Sequence, residues 1–103
     1  MARFDVYQSP DADERSRVPY WLDVQNTFIE VETRVVVPLH AARRFVGRIR
    51  DLNPEWVVRG SNVVMNSSAL GAAPTTNLRA PVTNLPAQQP SIQNAIDTLF
   101  AGY

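Results

Sequence analysis

The chain of 103 residues contains no cysteine. This absence excludes a disulfide framework and thiolate chemistry, and it is typical of a cytoplasmic protein. No run of apolar residues is long enough to cross a bilayer. The charged side chains of Arg3 and Asp5 interrupt the start of the chain, where a secretion signal would be apolar. We therefore expect a cytoplasmic protein that makes no contact with a membrane.

The chain also lacks an excess of either charge. Its net charge is zero, its sequence pI is about 6.6, and all 10 basic residues are arginine. This balance argues against a general nucleic-acid binder, and we expect no direct sequence-specific DNA binding. The length indicates a single domain over residues 1–103. Such a small domain has little stability to spare, so dimerisation would help it.

Catalytic and cofactor-binding motifs are absent as well. His40 is the single histidine, and no cysteine or recognisable serine nucleophile accompanies it. The four glycines stand alone, which excludes a glycine-rich phosphate loop. One histidine with scattered carboxylates offers no metal-ligand spacing. We predict a protein that is not an enzyme and has no cofactor or metal.

The clearest pattern that is present lies in residues 90–103. Five apolar residues recur at helical spacing: Ile92, Ala95, Ile96, Leu99 and Phe100. This spacing predicts an amphipathic α-helix. Pro90 suits its first turn, Ser91 is the alternative N-cap, and Gly102 is suited to end it. So short a helix is marginal alone in water, so we expect it to dock its apolar stripe on a sheet.

The upstream chain has the patterns of short strands. Alternation and β-branched or aromatic runs predict strands in residues 3–8, 18–25 and 34–39, the last closed by Pro38. Residues 55–59 and 62–66 flank Gly60-Ser61 and predict a hairpin. Residues 67–90 hold one or two poor strands. Strands followed by one helix indicate an α+β, mainly β domain with mostly antiparallel pairing.

Residues 42–50 allow two interpretations. Ala42, Phe45, Val46 and Ile49 have helical spacing, while four arginines (Arg43, Arg44, Arg48 and Arg50) occur without an acidic residue. The segment is either a patch that meets phosphate or an acidic partner, or a solvated helical turn or loop over the core. We favour the second interpretation, because Gly47 disfavours a regular helix.

Four blocks, in order, resemble the CcdB-type toxins of bacterial toxin–antitoxin pairs. They are Phe4-Asp5-Val6-Tyr7, Leu22-Asp23-Val24-Gln25, Val35-Val36-Val37-Pro38-Leu39 and residues 92–102. The resemblance implies a small SH3-like barrel of antiparallel strands with a small wing and a C-terminal α-helix. It also implies a homodimer that binds the GyrA-type chain, the A subunit of DNA gyrase, and traps the cleavage complex. A cognate CcdA-like antitoxin would neutralise it.

The resemblance also implies a gyrase-binding site at the helix end and in the loop after the second strand. Carried over by position, its residues are Asn26, Phe28, Asn94, Asp97, Phe100, Ala101, Gly102 and Tyr103. The chain departs from the usual family pattern at three of them. Ala101 replaces a tryptophan, Tyr103 an isoleucine and Asp97 an asparagine.

Two other functions stay open from the sequence. One is an endoribonuclease like the MazF/Kid-type toxins, which share the fold; His40 would then act as base, with Arg43 or Arg44 as phosphate clamp. The other is a degenerate, non-toxic homologue that only binds an antitoxin.

Overall fold

The computed structural model describes residues 1–101. Seven β-strands precede an α-helix in this part of the chain: β1 Asp5–Gln8, β2 Tyr20–Asp23, β3 Thr33–Ala41, β4 Glu55–Val58, β5 Ser61–Met65, β6 Gly71–Pro74, β7 Thr83–Asn84 and α1 Gln89–Ala101. The strands pair antiparallel in the order β4-β5-β3-β2-β1-β7, and β6 also pairs with β3. The sheet curls into a half-barrel, which confirms the predicted α+β barrel fold.

The alternation in β1 sorts side chains into two cores. Phe4 and Val6 belong to the main core, together with Leu22 and the helix residue Ile92. Tyr7 points to the other face, into a smaller cluster with Val36, Ala73 and Leu78. This is the division that a period of two residues predicts for a strand with both faces covered.

Helix α1 docks on the main core by its first two turns. Ile92 and Ala95 are fully buried, and burial of a side chain such as that of Ile92 contributes roughly 1.5–3 kcal/mol. The helix begins at Gln89 and carries Pro90 in its first turn, so the alternative N-cap at Ser91 was wrong. Phe100 is 71% exposed, so the predicted stripe is buried only near its start. Gly102, the predicted helix end, lies outside the described residues.

Strand β3 extends beyond the predicted stop at Pro38. The strand changes partner along one edge: its first half pairs with β6 and its last residues pair with β5. The carbonyl of Pro38 accepts a hydrogen bond from the Asn66 amide at 3.0 Å, in the segment between those two partners. The missing N–H of proline therefore falls where neither strand pairs, and β3 continues to Ala41.

The predicted hairpin forms, but its turn lies one residue earlier than expected. Val58 pairs with Ser61, which leaves Arg59 and Gly60 as the turn residues, with φ of 50° and 82°. Positive φ at both positions is the geometry of a two-residue type I′ turn. The two poor strands expected in residues 67–90 are β6 and β7.

Residues 42–50 form a loop rather than a helix. A single 3₁₀ turn covers Ala42–Arg44, and Gly47 adopts a φ of 78°. The side chain of Val46 is 93% exposed and that of Ile49 is 58% exposed. The helical spacing of these residues therefore does not reflect a buried face, as the solvated-loop interpretation expected.

Candidate partner-binding site

The loop between β2 and β3 holds an aromatic side chain out in solvent. Phe28 is 90% exposed. The side-chain Oδ1 of Asn26 accepts a hydrogen bond from the Phe28 amide at 2.9 Å, and the Asn26 carbonyl accepts one from the Ile29 amide at 3.1 Å. This Asx turn fixes the backbone on both sides of the phenyl ring. The exposed ring is therefore presented by an ordered turn.

A buried ion pair supports the loop from below. Arg34 donates from Nε to Asp23 Oδ2 at 2.7 Å and from Nη2 to Asp23 Oδ1 at 3.0 Å, the bidentate geometry of a strong charge-assisted pair. Arg34 is 3% exposed and Asp23 is fully buried. Arg34 also donates to the carbonyls of Gln25 and Ile29, each at 3.0 Å. One side chain thus anchors both halves of the loop to the sheet.

The last turns of α1 form the second part of the site. Phe100 and Ala101 are exposed, and Asp97 is half-buried. Asp97 Oδ1 accepts a hydrogen bond from Gln93 Nε2 at 3.0 Å, one helical turn earlier. The end of the helix therefore offers an apolar tip with an acid beside it.

Arg3 connects the loop to the helix. Its amide donates to Thr27 Oγ1 at 3.0 Å, and its Nη2 donates to Gln93 Oε1 at 2.8 Å. The guanidinium lies 4.7 Å from the centroid of the Phe4 ring, a cation–π distance. Because Gln93 in turn bonds Asp97, a continuous set of contacts runs from the loop of Phe28 to the last turns of α1.

The structure thus brings together some of the predicted residues but not all. Asn26 and Phe28 lie in the loop that Arg3 joins to the helix, and Asp97 lies at the other end of that connection. Asn94 is exposed and lines a different groove, together with Arg50 and Trp56. Two predicted residues, Gly102 and Tyr103, lie outside the described residues.

His40 lies in a different part of the fold, near the end of β3. It is 7% exposed, its Nε2 lies 3.1 Å from Asn66 Nδ2, and its ring packs edge-on against Phe45 with centroids 5.2 Å apart. Burial, and to a lesser extent the charge of Arg17, lower the pKa of His40 below its usual 6.5. Its geometry is that of a packed, neutral core histidine.

The described residues, 1–101, include no group of three or more His, Asp or Glu side chains placed to hold a metal ion. Within the same range, no helix has the length and apolar character needed to span a membrane.

The family of the chain follows from its sequence as a whole. A family model described as CcdB protein matches residues 3–102. The chain belongs to the CcdB family. A search of curated proteins gave no match. Membership makes this CcdB-family protein a toxin of the toxin–antitoxin type, and the family is one of toxins rather than of catalytic enzymes.

Sequence reasoning missed the residues that hold this CcdB-family site in place. In the sequence, Asp23 is only a member of the second block, and Arg34 is only the first residue of an apolar run. A signal was available, because a charged residue in a strand with both faces covered must find a partner. Arg3 and Gln93 gave no comparable signal, since their contact joins residues 90 positions apart.

Proposed function

We propose that this protein is the toxin of a type II toxin–antitoxin pair. Its target would be the A subunit of DNA gyrase, whose cleavage complex it traps, which blocks replication and transcription. The observation that carries the proposal is the pair of exposed aromatic side chains, Phe28 and Phe100, on two segments that Arg3 joins. Exposed aromatic residues on ordered backbone are typical anchors of a protein interface.

The proposal includes a homodimer with one recognition surface on each protomer. A two-fold dimer would present a pair of identical helix ends to a target that is itself two-fold symmetric. The small size of the domain gives a physical reason to associate. Sedimentation equilibrium of the purified protein tests this point, with a monomer at micromolar concentration as the contrary result.

The carried-over site leads to the same proposal in spite of its substitutions. Ala101 lacks the indole that is usual at this position, so less apolar area is available there for burial. We propose that Phe100 and Phe28 supply the main apolar contacts in its place. Asp97 keeps a polar group at its position and is held by Gln93. A CcdA-like antitoxin is the partner proposed to neutralise the protein.

The decisive experiment is a cleavage-complex assay with purified gyrase and supercoiled plasmid. We expect the wild-type protein to raise the amount of linear DNA. Phe100→Ala and Phe28→Ala should each reduce the apparent affinity by about tenfold or more, as loss of an interface hot spot of about 2 kcal/mol does. Both side chains are exposed, so their loss should leave thermal stability nearly unchanged.

Val57→Ala is the matched control for these variants. Val57 lies on β4 and is 61% exposed, but it is not among the predicted gyrase contacts. Its variant should trap gyrase as the wild type does. Absence of linear DNA with the wild-type protein would refute gyrase poisoning, and equal losses in all three variants would refute the site.

The endoribonuclease alternative finds less support in the geometry. The buried, amide-bonded ring of His40 is a poor general base, because its edge is occupied and it has little access to solvent. Incubation with single-stranded RNA tests it, and cleavage that His40→Ala abolishes would favour it. Induction that leaves a gyrase-proficient host unharmed, with the antitoxin still bound, would instead favour the degenerate homologue.

A further inference from the structure

A second surface, different from the aromatic pair, lies in residues 43–50, which we name the arginine loop. Its four arginines, Arg43, Arg44, Arg48 and Arg50, are all exposed. The salt bridges that the structure describes among residues 1–101 join Arg17 to Glu14 and Arg34 to Asp23, so they leave these four cations unneutralised. The chain as a whole has a net charge of zero, and the loop is thus a local concentration of positive charge.

The arginine loop also exposes apolar side chains between its charges. Val46 is 93% exposed and Ile49 is 58% exposed. An exposed β-branched side chain alone needs no explanation, but two of them interspersed with these cations form a mixed surface. Such a surface matches a ligand that is both acidic and apolar.

The loop has a fixed shape. Asn53, which is 4% exposed, accepts a hydrogen bond from the Ile49 amide through Oδ1 at 3.0 Å and donates from Nδ2 to the Met65 carbonyl at 3.0 Å. Arg48 Nε donates to the Asn53 carbonyl at 2.8 Å. One buried amide therefore ties the loop to β5, so a ligand meets a surface that is already organised.

A groove lies at each end of the loop. Arg43 lines one of about 500 Å³, together with Arg15 and the β4–β5 turn. Arg48 and Arg50 line the other, of about 370 Å³, whose opposite wall includes Gln88 and Asn94 of the helix region. Two grooves joined by an exposed loop suit an extended chain better than a compact ligand.

We infer that the arginine loop binds an extended, acidic and partly apolar segment of the antitoxin. The inference rests on the proposed function only in assuming that the protein has an antitoxin, and it does not depend on gyrase. A second copy of this chain is a poor occupant, because a two-fold contact would bring the same arginines against one another. Nucleic acid would use the charges but would leave Val46 and Ile49 without apolar partners.

The test uses the whole protein and a labelled peptide made of four Asp-Leu-Glu-Gly repeats, followed by fluorescence anisotropy. We expect binding at about 50 mM salt that weakens at about 300 mM, because salt screens exposed charges. Arg43→Gln/Arg44→Gln should weaken binding about fivefold. The matched control, Arg59→Gln/Arg79→Gln, removes two exposed charges elsewhere and should bind as the wild type does.

Val46→Ser separates a peptide site from a phosphate site. It should weaken binding of the leucine-containing peptide and leave unchanged the binding of one with serine in place of leucine. Absence of peptide binding, equal losses in the control variant, or a duplex of about 20 base pairs bound with no effect of Val46→Ser would each overturn the inference.

A parallel gyrase assay keeps the two proposals distinguishable. Arg43→Gln/Arg44→Gln should trap gyrase as well as the wild type does, and loss of trapping would assign the loop to the gyrase interface instead. A wild-type protein that binds the peptide but yields no linear DNA would refute the gyrase proposal and leave this inference standing.

Discussion

Loss of the Asp23–Arg34 pair should damage both the stability and the function of the protein. Asp23→Ala leaves the guanidinium of Arg34 buried without its carboxylate, since Arg34 is only 3% exposed. Removing one partner of a buried pair costs about 3–5 kcal/mol, because the other charge stays desolvated. A domain of this size loses about 4–8 °C in melting temperature per kcal/mol, so we expect a drop of about 15–30 °C.

The exposed pair of Arg17 and Glu14 provides the control. Its side chains are 48% and 44% exposed, and exposed pairs contribute about 0–1 kcal/mol. Glu14→Gln should therefore leave the denaturant midpoint almost unchanged. The same urea titrations measure both variants, and a loss below about 1 kcal/mol for Asp23→Ala would refute the reasoning.

A double substitution separates the structural role of the pair from its role in recognition. Asp23→Leu/Arg34→Met removes both charges, and such apolar replacements of buried pairs are often neutral or stabilising. The carbonyls of Gln25 and Ile29 nevertheless lose their donor, so the loop should open to water. We expect stability to recover in large part while gyrase trapping stays impaired. Full trapping by the double variant would show that the pair does not position the loop.

Three further predictions concern single groups. Burial, with the charges of Asp5 and Asp23, raises the pKa of Tyr7 to about 12; stability should therefore be retained below about pH 10 and fall between about pH 10 and 12, and Tyr7→Phe should flatten that part of a urea-denaturation profile. The pKa of His40 is lowered by burial, so its contribution is present above about pH 6.5 and is lost as the pH falls through the lowered value; His40→Gln should reduce the loss. Arg3→Met removes the bond to Gln93; we expect weaker gyrase trapping and a modest stability loss of about 1–2 kcal/mol by thermal melting.

The parts of the fold that were predictable depend on local periodicity. Alternation placed Val6 and Tyr7 on opposite faces, and helical spacing identified the stripe that begins at Ile92; both are confirmed. Each inference needs only residues that are close in sequence, because side-chain direction follows the backbone period directly. The extent of burial was not available in this way. Phe100 shares the spacing of the stripe yet is 71% exposed, since the sheet ends before the helix does.

The parts that were not predictable depend on strand register. Asp23 lies opposite Val36 in the β2–β3 ladder, which makes Arg34 its diagonal neighbour on the same face. Without that register, the two charges are simply 11 residues apart. Pro38 failed as a strand end for a related reason. Its tolerance depends on the gap between β5 and β6, two strands that come much later in the chain.

The buried polar side chains of this protein serve its loops more than its core. Arg34 supplies donors to loop carbonyls, Asn53 fixes the arginine loop, and Ser67 Oγ donates to the Leu52 carbonyl. The main core between them is almost wholly aliphatic and aromatic. In a barrel this small, loops have few apolar contacts to hold them, so a hydrogen-bonded side chain that reaches up from the sheet replaces packing. Surface substitutions such as Ala101 can then change what a loop or helix end binds without changing where it lies, provided that its buried anchor is kept.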